Sequence, residues 1–456
     1  MEINALIKKK LTAFWNDWQT GFRWSHWFRN DFPIEPLVTF RVVFGVLMLF
    51  STLRFIYLGW IEDHFVHTKF QFKYFGFEWV PLLDAPYLYI LHGILCLAAI
   101  GITLGFFYRI SATLFFLGFT YTQLIDLTYY LNHYYFVSVV SFLLIFLPAH
   151  QAYAWDSRKN PVYWIPFWPV GLLRWQVALL YVYAGLAKIN ADWLFHALPL
   201  KIWLPAADSI PFVGSIFAHD WAPWVFSWGG MLYDSFIPFF LMNKVTRWPA
   251  YFFVWIFHIA VGLLFQIGVF PIVMIGLTPL FFSADWHQKI LSKIKKKTVA
   301  FENPSKFIRV PKWVWLYLGF QLIFPWRYLL YPGNLFWTEE GYRFSWRVML
   351  MEKAGTATFY VKDTKTGREG VVDNSEFLRP HQEKQMAMQP DMILQFAHFL
   401  AEHYQKEGMP SPEVRAEVYV TFNGRPSQLL LDPTINLARI SDSWQHKKWL
   451  MPAPTH

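Results

Sequence analysis

Cysteine is almost absent: Cys96 is the single thiol in 456 residues, so no disulfide can form within the chain. Charge is scarce as well, at 16% of residues against roughly 25% in soluble domains. No closely spaced Cys/His or His/Glu motif offers zinc a site, and neither a Gly-rich phosphate loop nor a Gly-x-Ser-x-Gly elbow occurs. Those gaps argue against a metalloenzyme or a nucleotide-driven pump. Internal repeats, low-complexity tracts and long linkers are missing too, and no pair of Gly/Pro-interrupted crossings suggests a transporter. The first 36 residues lack the short apolar core of a cleavable signal peptide.

What the chain has in excess is hydrocarbon, with 55% hydrophobic residues that include 25 Trp and 47 Phe. These fall in blocks near 37–58, 86–107, 110–128, 134–149, 169–188, 222–242, 249–268, 270–283 and 313–327. A helix needs ~20 mostly apolar residues to cross a bilayer. The pattern therefore predicts a polytopic α-helical membrane protein with about eight or nine transmembrane helices over 37–335. Residues 1–36 precede it with Phe14, Trp15, Trp18, Phe22, Trp24 and Trp27, the composition of an interfacial amphipathic helix.

Cytoplasmic loops retain Lys and Arg, which fixes an expected orientation. With the N-terminus inside, the inner segments hold 18 such residues, from Lys8 to Lys312, whereas the outer loops hold Lys69, Lys73 and Lys201. The net charge of +9 is thereby accounted for by orientation, because residues 336–456 carry 14 Lys and Arg against 15 Asp and Glu. Nucleic acid is not indicated as a partner, while membrane lipid is.

Residues 336–456 read as a soluble α+β domain outside the cytoplasm. Phe344 to Met351 and Ala357 to Lys362 alternate like strands, Asp363 to Arg368 forms a turn and Gly370 to Val372 the return strand. A helix is predicted over Pro390 to Gln405, followed by strands at Val414 to Phe422 and Gln428 to Leu431 around the turn Asn423-Gly424-Arg425-Pro426.

Lys188 ends an apolar helix, and an amine there is costly to keep charged, which makes it a candidate base. Spacing alone favours the blander reading, that it snorkels from the helix end to the headgroups. Asp192 either caps the next helix or pairs with Lys188. Topology brings Asn132 and His133, in the turn after the third crossing, to the same outer end of the bundle as Lys188. His258 lies within the seventh crossing, where a hydrogen-bonded interhelical contact is the competing explanation. Asp126 and Asp234 are expected to pair with Arg41, Arg54 or Arg174.

The wording of several segments adds a further signal. Pro36-Leu37-Val38-Thr39-Phe40-Arg41, Tyr74 to Val80, Leu131-Asn132-His133-Tyr134-Tyr135, Tyr183 to Trp193, Phe257-His258 and Gly276 to Phe282 occur in order, followed by Tyr342 to Met349 and Leu430-Leu431-Asp432-Pro433. Together they resemble the vitamin K-dependent gamma-glutamyl carboxylase family, whose membrane part is called the HTTM domain. The resemblance implies that Lys188, in Ala-Gly-x-x-Lys-x-x-Ala-Asp-Trp, is the base that deprotonates vitamin K hydroquinone. Asn132 and His133 match positions beside the quinone, and His258 is a further candidate for cofactor binding. O2 and CO2 would be co-substrates, with epoxide as the product and carboxylation at the γ-carbon of glutamate in a protein or peptide as the coupled reaction. No metal is implied. The short form suggests a bacterial homologue in the inner membrane, with the soluble domain periplasmic. The rival expectation is a quinone- or lipid-binding membrane scaffold that has lost catalysis.

Overall fold

The computed structural model describes residues 12, 27–28, 32–211, 214–265, 267–293 and 309–454. The expected interfacial helix within 1–36 lies outside the described residues except for its last part. There Trp27 is buried against Phe167 and Trp315, with ring centroids 6.3 Å and 6.0 Å away.

The helices that carry the apolar blocks are α1 (Glu35–Tyr57), α2 (Ala85–Leu104), α3 (Tyr108–Ile125), α4 (Asn132–Phe146), α5 (Trp168–Ala187), a short α6 (Ala191–His196), α7 (Ala222–Met242), α8 (Arg247–Leu264), α9 (Phe270–Leu277) and α10 (Lys312–Ile323). Five of them, α1, α2, α5, α7 and α8, are long and apolar enough to cross a membrane. The other expected crossings appear as shorter helices, or in α3 as a helix diluted by Arg109, Gln123 and three threonines.

Proline at the first turn starts α1, α2, α5 and α7, where the missing N–H costs nothing. Close helix approach depends on small residues. A Cβ added to Gly45 of α1 would sit 2.8 Å from the backbone nitrogen of Thr103 on α2, so only glycine permits that crossing. Arg41 is fully buried yet pairs with no carboxylate among the described residues; its guanidinium donates to the carbonyls of Ala149 (3.0 Å) and Tyr153 (2.7 Å) and pins the loop after α4. Arg174 likewise donates to the carbonyls of Leu280 and Phe282. The expected pairing of these arginines with Asp126 or Asp234 is therefore replaced by carbonyl capping.

A two-stranded ribbon, β1 (Phe32–Pro33) with β2 (Trp164–Ile165), closes the N-terminal side of the bundle. The C-terminal domain is an antiparallel sheet in the order β4-β3-β5-β6, with β3 Lys353–Lys362, β4 Glu369–Val371, β5 Glu413–Phe422 and β6 Gln428–Leu429. Val414, Ala416, Val418, Val420 and Phe422 alternate inward along β5, as a pleat requires. They pack on α12 (Pro390–Lys406), which follows the shorter α11 (Pro380–Met386).

The expected strand over Phe344 to Met351 does not form. Phe344, Trp346 and Met349 have φ of 56°, 58° and 52°, a left-handed conformation that side chains disfavour and that a pleated strand excludes. This segment instead folds into the bundle, and Trp346 is fully buried against Tyr135 at 4.6 Å.

The domain is docked firmly. Phe72, Tyr74 and Leu127 from the bundle share its hydrophobic core. Gln395 bonds both backbone groups of Lys73, at 2.8 Å and 2.9 Å, and Gln382 donates to Asp126 at 2.7 Å.

Candidate functional site

Helices α5 and α7 touch at Gly185, whose added Cβ would lie 2.5 Å from the backbone nitrogen of Ser235. That contact brings the last turn of α5 against the residue before Ser235. Lys188, 5% exposed, ends α5 with Nζ 2.7 Å from Asp234 Oδ2 and 3.2 Å from the carbonyl of Ala184. The ring of Trp193 lies 5.3 Å from the ammonium position. Trp193 is itself fixed, because its indole donates to the carbonyl of Ser227 and its backbone N–H to the cap Asn190.

Asp192 is not the partner of Lys188. Its carboxylate is clamped from the soluble domain by Arg425, at 2.6 Å and 3.0 Å, and by Asn423 at 2.7 Å. Buried ions need a partner, and the chain has supplied one to each of the two aspartates separately.

Asn132 and His133 open α4. Asn132 donates to the carbonyl of Arg347 at 2.6 Å and accepts from Tyr130 at 3.0 Å, so it ties the bundle to the left-handed segment of the soluble domain. His133 stacks on Phe270 at 5.1 Å and lines a cavity of about 700 Å³. Tyr134, Arg54, His92 and His64 also face this cavity, and Arg379 and His381 of the soluble domain roof it. Arg54 lies over the face of Trp60, 4.6 Å from its centroid.

At the cavity mouth the rings of His64 and Tyr129 are 3.9 Å apart, and Tyr129 stacks on His381 at 4.7 Å. Burial pushes the His64 imidazole down to about 4 and lowers His381 as well. The neighbouring Asp126 is moved the other way, up to about 6, because desolvation outweighs its hydrogen bonds from Thr128 and Gln382.

A second cavity of about 410 Å³ adjoins the end of α5. Ala187, Asn190, Tyr183 and Trp326 line it with Ser345, Arg347 and Arg425. The guanidinium of Arg347 lies over the ring of Tyr328 at 4.2 Å, and its Nε has no hydrogen-bond partner among the described residues. Lys188 lines neither cavity, although both of its chain neighbours, Ala187 and Ile189, line the smaller one.

His258 is placed apart from both. It is buried in α8, shares a 2.8 Å hydrogen bond with Tyr181, and meets Phe270 edge-on at 6.4 Å. A chain of ring contacts thus leads from His133 through Phe270 to His258 and Tyr181. Tyr181 precedes Lys188 by two helical turns on the same face of α5. Among the described residues no three His, Cys, Asp or Glu side chains gather as a metal site would need.

Sequence reasoning missed Asp234 as the partner of Lys188, although an acid inside an apolar helix marks itself out. Arg347 was overlooked within a segment read as a strand. The meeting of His64 and His381 on the ring of Tyr129 joins positions 317 residues apart and leaves no local trace.

A family model described as the HTTM domain matches residues 30–286, and one described as the lumenal domain of vitamin K-dependent gamma-carboxylase matches residues 308–456. No solved structure matches the chain.

Proposed function

The chain belongs to the vitamin K-dependent gamma-carboxylase family through its HTTM and lumenal domains, and on that premise we propose that it oxygenates vitamin K hydroquinone to the epoxide with Lys188 as base. The observation that carries the reading is the buried Lys188–Asp234 contact at 2.7 Å beside a cavity wall. When bound, the reduced quinone with O2 supplies the strong base for the γ-carbon of glutamate, which a lysine amine cannot be.

The residues present fit such a group. The larger cavity has apolar and aromatic walls and offers His133, whose imidazole has no hydrogen-bond partner among the described residues. His133 orients the ring, and Asn132 holds the adjoining turn against Arg347. For Lys188 to take a hydroquinone proton, its amine would leave the side of Asp234 on its flexible four-carbon stem toward the smaller cavity, which its neighbours Ala187 and Ile189 line, and the hydroquinone hydroxyl would have to reach that side from the larger cavity. Asp234 then stabilises the ammonium that results. Arg379 and His381 in the domain roof would limit the access of water to the reaction.

The smaller cavity suits an acidic side chain, because Arg347 and Arg425 face it and the Nε of Arg347 has no hydrogen-bond partner among the described residues. A glutamyl residue held there would be the acceptor for CO2. The arrangement of the crossings, with the N-terminus cytoplasmic and the soluble domain outside, follows from the Lys and Arg distribution, and the description of the second family model as lumenal supports it.

The rival reading, a quinone-binding scaffold, is favoured by the same ion pair, since a permanently held ammonium is no base. Purified protein in detergent, given reduced vitamin K and O2, separates the two. Epoxide formation that Lys188→Ala abolishes supports the enzyme; saturable quinone binding without turnover supports the scaffold.

A further inference from the structure

We propose that the soluble domain rests on the outer leaflet as well as on the bundle, through an aromatic rim whose partner is the headgroup–acyl boundary of the lipid. The proposal does not depend on the reaction assigned above.

The rim is built from both parts of the chain. Trp444 of the soluble domain, 62% exposed, meets Phe75 edge-on at 5.4 Å. Phe75 belongs to the tight turns before α2, in which Phe77 and Trp79 lie 6.2 Å apart and Trp79 is 75% exposed. From Trp79 only six residues lead to Ala85, the start of α2, one of the five helices able to span a membrane. At its other side the rim is tied to α10. The helical turn Phe324–Leu330 continues from α10, and the next residue, Tyr331, donates to the carbonyl of Trp444 at 2.9 Å. Leu330 on that turn is 81% exposed.

The rim is therefore continuous at both sides with apolar helices, and its depth is set by where they end. Tryptophan concentrates at that depth because its ring is apolar and its N–H is polar. Contiguous apolar patches are rare on surfaces that face only water. Lys448, exposed four residues after Trp444, supplies positive charge for lipid phosphates. Since the same domain carries the segment that buries Trp346 in the bundle, seating it on lipid also fixes the height of that segment.

The test uses the full chain in lipid nanodiscs, with Cys96→Ser as background and Trp444→Cys carrying an environment-sensitive fluorophore. Lys365→Cys, on the exposed turn between β3 and β4, gives the aqueous reference. The label at 444 is expected to be quenched at least about two-fold more than the reference by headgroup-spin-labelled lipid, and less by aqueous iodide. Equal iodide access at 444 and 365 overturns the proposal. Shielding from lipid and iodide alike also overturns it, since a protein surface would then cover the rim. Should Trp444→Cys not fold, Trp79→Cys provides the same comparison.

Discussion

Removing the carboxylate of Asp234 should cost the bundle about 3–5 kcal/mol, the usual penalty for leaving one half of a buried ion pair behind. The side chains of Lys188 and Asp234 are only 7% and 6% exposed, so water cannot replace the lost partner. What remains for the ammonium after Asp234→Ala is one carbonyl, that of Ala184 at 3.2 Å, and the face of Trp193 at 5.3 Å. A cation–π contact offsets about 0.5–2 kcal/mol of the loss. Lys188→Met should be destabilising for the converse reason. The double variant Lys188→Met/Asp234→Leu removes both charges and leaves no buried ion unpaired, so its stability should exceed that of either single variant and approach the parent's. Equilibrium unfolding of the four proteins in mixed micelles gives the coupling energy, expected to be about 3 kcal/mol or more. Single substitutions that each cost under about 0.5 kcal/mol, with additive effects in the double variant, would refute the reasoning.

Other expectations follow from the same contacts. Gly185→Ala puts a Cβ 2.5 Å from the Ser235 nitrogen, so it should cost about 1–3 kcal/mol by overpacking and part Lys188 from Asp234; quinone turnover should fall with stability, and an unchanged unfolding midpoint counts against the close crossing. Arg425→Ala removes the guanidinium from Asp192 and leaves the Asn423 bond to its carboxylate, and should loosen the domain from α6 enough for limited proteolysis to release it faster. The half-buried His64 has a folded-state value near 4, below its ordinary 6.5, so it favours folding above pH 6.5 and that contribution is lost as pH falls toward 4. Asp126, raised to about 6, acts in the opposite sense: it favours folding below its ordinary 3.8, and the contribution is lost as pH rises through 6. Thermal unfolding across pH 4–7 should therefore show a smaller acid-side loss in His64→Asn, and an identical profile contradicts the assignment.

The positions of the apolar helices were legible because hydrocarbon blocks of bilayer length have few alternative structures. Proline at the first turn of α1, α2, α5 and α7 fixes where those helices start, a signal that the apolar blocks alone do not carry. Lys188 stood out for a related reason, since an amine at the end of such a block is conspicuous. Its partner did not, because a 46-residue separation is bridged by the packing of α5 on α7, which includes the contacts of Gly185 with Ser235 and of Tyr181 with Tyr233. Asp192, four residues from Lys188, was the natural sequence neighbour, and Arg425 claims it only once the soluble domain docks. Phe344 to Met351 mimicked a strand since alternating apolar residues can also arise when left-handed residues reverse the chain. Neither φ signs without glycine nor the docking of one domain on another is encoded in local periodicity.

The central claim is that Lys188 acts as the base for quinone oxygenation, and epoxide formation measures it most directly. Purified protein in lipid nanodiscs would be supplied with reduced vitamin K and O2, and epoxide quantified for the parent, Lys188→Met and the charge-free double variant Lys188→Met/Asp234→Leu. The parent should turn over, and both variants should lose at least about 10²-fold in rate, the double variant while remaining folded. Epoxide at the parental rate from a folded chain without Lys188 contradicts the account.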